Sequence, residues 1–148
     1  MITSIFVAYD PGNTTGVAWY DPIDGTFNAY QHADPINCWF WAQNQIDVLI
    51  DELDEETDFI EPHFTVEDYV GGGYRNTDSI LTLKRVGYFE TRISEYWGQD
   101  EWVDLRVVGS NMRKSGLRLA AELLDTTSIP GPHTLDALSH AIVHSRQV

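Results

Sequence analysis

The sequence predicts an α/β protein: one domain built on a mixed five-stranded sheet with helices on both faces. Three observations carry this. The first part of the chain reads as three short strands separated by turn signals. The remainder alternates helical periodicity with two further strand-like runs. The length, 148 residues, with 43% apolar and 12% aromatic side chains, suits a single packed core.

Residues 3–9 (TSIFVAY) form an apolar, β-branched run that ends at Asp10. The turn-rich stretch PGNTTG follows, and Val17 to Tyr20 is the second strand. DPIDGT (21–26) is a strong turn signal, and Phe27 to His32 is the third strand, completing an antiparallel meander. Residues 36–56 carry Ile36, Trp39, Phe40, Ile46, Leu49, Ile50 and Leu53 at helical spacing, and the terminal DELDEE reads as a solvated face. Phe64 to Glu67, after Pro62, reads as a short buried strand, and three glycines at 71–73 read as a loop. Thr77 to Tyr96 reads as a second helix, residues 103–108 (VDLRVV) as the fifth strand, and Met112 to Leu124 as a helix opened by Ser110 or Asn111. A last helix runs from about Pro132, well placed in a first turn, to Ser145. The order βββ-α-β-α-β-α-α is that of the ribonuclease-H-like fold.

Composition narrows the function classes. No apolar run approaches the roughly 18 residues of a membrane span. Met1 to Asp10 carries no basic segment or small-residue cleavage site, so the expected location is the cytoplasm, with no membrane partner. Cys38 is the only cysteine, which excludes an intramolecular disulfide and a thiolate metal cluster. Nine basic and 23 acidic residues give a net charge of −14. Residues 1–74 hold no Lys or Arg and 14 acids, whereas residues 75–148 sum to zero. An anionic ligand must therefore be gripped by the second half.

Three acids define the candidate chemistry. Asp10 closes the first strand, Glu67 closes the fourth, and Asp136 lies in the final helix within HTLDALSHA. In a ribonuclease-H-like sheet the first and fourth strands are parallel neighbours and the last helix crosses their C-terminal edge, so the three acids can converge. Converging carboxylates repel each other unless cations bind. Mg²⁺ or Mn²⁺ suits an all-oxygen site, and two such ions activate a water and stabilise the leaving oxygen of a phosphodiester. His133, Asp136, His140 and His144 share one helix face; His133, one turn before Asp136, is the candidate for the site, and His140 and His144 are assigned to packing or support. No Walker A loop, GxSxG or HExxH motif competes.

DPGNTTGVA, TVEDY and HTLDALSHAIVH, in this order and spacing, resemble the RuvC family of Holliday junction resolvases over nearly the whole chain. The resemblance implies a ribonuclease-H-like fold, Mg²⁺-dependent cleavage of four-way DNA junctions and a homodimer. It implies metal binding by Asp10, Glu67 and Asp136. His133 falls where many relatives carry a fourth acid, and either ligates metal or orients the scissile phosphate or the water. Relatives stack an aromatic on unpaired bases shortly after the strand-four acid; here that spot is Val70, and Tyr69 and Tyr74 are the nearest aromatics. Arg75, Lys84, Arg85, Arg113 and Lys114 lie on segments bordering the acidic edge and are the expected DNA contacts. The second helix carries the apolar residues Ile80, Leu83, Val86, Tyr88, Phe89 and Ile93, more than one buried face needs, and is the expected dimer interface. The small size and acid surplus suit a divergent member such as a viral one. The competing readings are a broader ribonuclease-H-like nuclease, an ATP-binding actin-like module in which Asp10 to Thr15 cradle phosphate, and an acidic interaction protein without chemistry.

Overall fold

The computed structural model describes residues 2–53, 58–68, 77–98, 104–108, 117, 118, 120, 122 and 131–148. Strands β1 (Ile2–Asp10), β2 (Thr15–Asp21) and β3 (Thr26–His32) open the chain. Helix α1 (Pro35–Asp51) follows, then β4 (Phe59–Glu67), α2 (Thr77–Tyr96), β5 (Asp104–Val108) and α3 (Pro132–Arg146). Leu117, Arg118, Ala120 and Glu122 are also helical, within the segment read as a helix from Met112 to Leu124; the rest of that segment lies outside the described residues.

The five strands form one sheet in the order β3-β2-β1-β4-β5. β1, β2 and β3 pair antiparallel, while β1–β4 and β4–β5 are parallel. This is the mixed ribonuclease-H-like sheet expected from the element order.

Alternation along the strands builds two layers. Ile5, Val7 and Tyr9 of β1, Val17 and Trp19 of β2, and Ile60, Phe64 and Val66 of β4 meet Cys38, Trp39, Ala42 and Ile46 of α1 and Val86, Phe89 and Ile93 of α2. On the other face, Phe6, Ala8, Ala18 and Tyr20 meet Ala137, Leu138, Ala141 and Ile142 of α3. The two alanines of β1 and β2 leave room for α3 to lie close to the sheet. Local chemistry starts the helices: Asp34 caps α1 by accepting from the Ile36 N–H at 3.0 Å, with Pro35 in the first turn.

Three sequence expectations change. β4 begins at Phe59, not Phe64. Pro62 reads as a strand breaker, but β5 pairs with β4 only from His63 onward. Pro62 therefore lies where no described strand lines that side of β4, and its missing N–H is tolerated there. The apolar surplus on α2 is mostly core: Val86, Phe89 and Ile93 are buried and Tyr88 packs against them, leaving Leu83 exposed. The side chain of Ile80 lies outside those described. α1 ends at Asp51 with Asp51 and Glu52 exposed; residues 54–57 of the acidic stretch lie outside the described residues. Among the described residues no helix is long and apolar enough to cross a membrane.

Cys38 is fully buried, and its thiol donates to the Thr15 carbonyl at 3.4 Å. Burial pushes the thiol pKa up to about 12, against the smaller opposing pull of a backbone hydrogen bond with His32. Thiolate is the reactive form, so a thiol reagent at pH 8 is expected to label the native protein only through unfolding. Labelling should accelerate with denaturant in step with loss of structure; rapid stoichiometric labelling of the native protein would contradict this.

Candidate active site

β1 and β4 run parallel, with Tyr9 beside Val66. The next residue on each strand is an acid, Asp10 and Glu67, at the same C-terminal edge. Tyr9 and Val66 face α1 and α2. Alternation therefore turns Asp10 and Glu67 toward α3. Both acids are buried, at 5% and 6% exposure. Burying a carboxylate is costly unless it is paired.

Two histidines of α3 approach them. His133 Nδ1 lies 3.8 Å from Asp10 Oδ2, and His140 Nε2 lies 3.2 Å from Glu67 Oε1. The two histidines are two helical turns apart on one face. His133 is 41% exposed in its side chain, whereas His140 is sealed at 1%. The first pair therefore meets solvent and the second does not.

Two glycines set this docking. Gly16 pairs with Asp10 across β1 and β2. A Cβ on Gly16 would stand 2.1 Å from the His133 carbonyl oxygen, so only glycine lets the first turn of α3 lie on the sheet there. Gly131 precedes α3 with a φ of 140°, which only glycine adopts without strain, and Pro132 then begins the helix. Thr134 Oγ1 donates to the Gly131 carbonyl at 2.7 Å and ties the turn down.

A supporting row extends below the acids. His144 Nδ1 and Thr65 Oγ1 are 2.8 Å apart. His63 stacks on Phe6 at 4.5 Å, meets His144 edge-on at 5.7 Å, and approaches Glu61 at 3.5 Å. Four of the five histidines thus lie between α3 and the sheet or at its mouth. His63 and Thr65 were not singled out from sequence, although alternation in FIEPHFTVE puts both on the face of Glu67.

Asp136 lies on α3 one turn after His133, partly buried, and its carbonyl accepts from Ser139 Oγ at 2.6 Å. Among the described residues, no group of three or more His, Cys, Asp or Glu side chains is gathered closely enough to hold a metal ion. By donor type, the oxygens of Asp10, Glu67 and Asp136 and the imidazole of His133 suit a hard divalent cation. In position, each strand acid has a histidine of α3 near it, His133 by Asp10 and His140 by Glu67.

Of the expected DNA contacts, Lys84 is exposed on α2. Arg85 reaches back to the turn after β1, where its Nη1 donates to the carbonyls of Gly12 and Asn13, the latter at 3.1 Å. Tyr69, Tyr74, Arg75, Arg113 and Lys114 lie outside the described residues. No protein-family model matches the chain, and no curated protein matches it significantly.

Proposed function

We propose that the protein is a metal-dependent, structure-selective endonuclease that hydrolyses phosphodiester bonds in four-way and branched DNA. One observation carries the reading. Two buried carboxylates, Asp10 and Glu67, end adjacent parallel strands under α3, which sets His133 beside Asp10 and carries Asp136 one helical turn further along. A bound Mg²⁺ or Mn²⁺ pair supplies activation of a water and stabilisation of the leaving oxygen. Asp10, Glu67 and Asp136 would provide the oxygen donors. His133, at the solvent-facing pair, orients the scissile phosphate or holds the proton of the attacking water. His140 fixes the orientation of the Glu67 carboxylate, as outer partners of ligands commonly do.

The charge distribution supports the polarity of binding. The first half of the chain carries the whole −14 and repels phosphate, while all nine cations lie from Arg75 onward. Lys84, Arg75, Arg113 and Lys114 are the proposed phosphate contacts, and Tyr69 and Tyr74 the proposed base-stacking residues, each stacked base contributing about 1–3 kcal/mol. A four-way junction has two-fold symmetry, and two matched cuts call for two sites, hence a homodimer.

The test is cleavage of a synthetic four-way junction beside linear duplex and an RNA–DNA hybrid, with Mg²⁺ and with chelator, alongside sedimentation of the protein and its junction complex. The expected result is paired, symmetric nicks in the junction, dependent on Mg²⁺, made by a dimer. Preferential cleavage of the hybrid would replace the reading with a broader ribonuclease-H-like nuclease. Cleavage of none of the three would overturn the nuclease reading.

A further inference from the structure

We propose that Arg85 is a positioning residue for Asp10 and not a contact to DNA; the inference rests on the reading of Asp10 as part of the active site. Two observations on α2 support it. Phe89 stacks on Tyr9, with ring centroids 4.2 Å apart and planes 20° from parallel. Four residues earlier, on the same helix face, Arg85 donates to the carbonyls of Gly12 and Asn13. Tyr9 immediately precedes Asp10, and Gly12 follows it by two. One face of α2 therefore meets the chain on both sides of the acid, at the Tyr9 ring before it and at the Gly12 and Asn13 carbonyls after it, while His133 of α3 approaches its carboxylate from the other layer.

The chemistry of the grip favours a fixed structural role. A guanidinium has only donors, and hydrogen bonds from a charged donor to backbone carbonyls are among the stronger ones. The segment Pro11–Thr14 joins β1 to β2 without regular secondary structure, so its carbonyls take their partners from side chains or water and not from a strand ladder. Arg85 supplies them to two consecutive residues at once. Loss of this tie frees the turn, and Asp10, at the end of β1, loses the anchor that sets its direction. Misplacement of a reacting group by about 1 Å lowers rates on the order of 100-fold.

The experiment compares wild type with Arg85→Ala and Arg85→Met, the second keeping the aliphatic stem should the first fail to fold. Single-turnover junction cleavage is measured at saturating protein, junction affinity is measured across a salt series, and amide hydrogen exchange is measured on the free proteins. A positioning role predicts a cleavage rate at least 10-fold lower, affinity within 2-fold of wild type, an unchanged salt slope, and faster exchange at residues 12–16. A phosphate contact predicts the reverse: weaker binding, a log–log salt slope smaller by about 0.9, and a normal rate at saturation. That result, or unchanged exchange in the turn, overturns the proposal. Should the wild-type protein cleave no junction, the nuclease reading fails, and the exchange data still decide whether Arg85 holds the turn.

Discussion

Asp10→Asn and Glu67→Gln are each expected to slow junction cleavage by about 10²- to 10⁴-fold, the equivalent of several kcal/mol of lost transition-state stabilisation. Asp136→Asn should behave in the same way. Each amide keeps the shape of the acid but removes the negative charge that a divalent cation needs. The fold should survive, because Asp10 and Glu67 end their strands and neither belongs to the apolar clusters on the two faces of the sheet. Single-turnover cleavage together with thermal melting separates the two effects. A variant with wild-type rate removes its residue from the site, and wild-type rates in all three would falsify the nuclease assignment.

Gly16→Ala tests how α3 sits on the sheet. The added Cβ meets the His133 carbonyl oxygen at 2.1 Å and its carbon at 2.4 Å. These are backbone atoms in the first turn of a helix, with no flexible side chain to swing aside. The helix must back away, at a cost of about 1–3 kcal/mol, lowering Tm by roughly 2–12 °C for a chain of this size. The same retreat draws His133 from Asp10, so cleavage should fall more steeply than stability. A single methyl group far smaller than any substrate would thus act on chemistry through the main chain. Unchanged Tm and unchanged rate would mean that α3 does not rest on Gly16.

Much of this was readable from residue types and spacing. β1, β2 and β3 are marked by β-branched and aromatic runs between turn signals, and α2 by an apolar period that reaches from Thr77 to Tyr96. Asp10 and Glu67 were legible as neighbours because the order of elements implies which strands lie side by side. The first half of β4 was hidden by Pro62, since a proline looks like a terminator unless one knows how far β5 extends. The contact of His140 with Glu67 depends on the rotation of α3 over the sheet, which periodicity alone leaves open. From the sequence, Arg85 is expected to contact DNA because a cation beside an acidic edge usually faces solvent. Only the docking of α2 on β1 brings it to the carbonyls of Gly12 and Asn13. Gly16 was visible within a turn-rich motif, but the need for glycine there comes from a helix much later in the chain.

The threading of the sheet also orders events in time. Asp10 gains Glu67 only after β4 has been made and paired with β1, and gains His133 only after α3 has been made. Translation at about 5–20 residues per second separates Asp10 from His133 by roughly 6–25 seconds. During that interval the emerging chain can form the local β1-β2-β3 meander, whose contacts are close in sequence and fast to make. The pairing of β1 with β4 closes a much longer loop and comes later. A ribosome-bound fragment ending anywhere before α3 therefore lacks the roof over its acids, which arrives in a single late step.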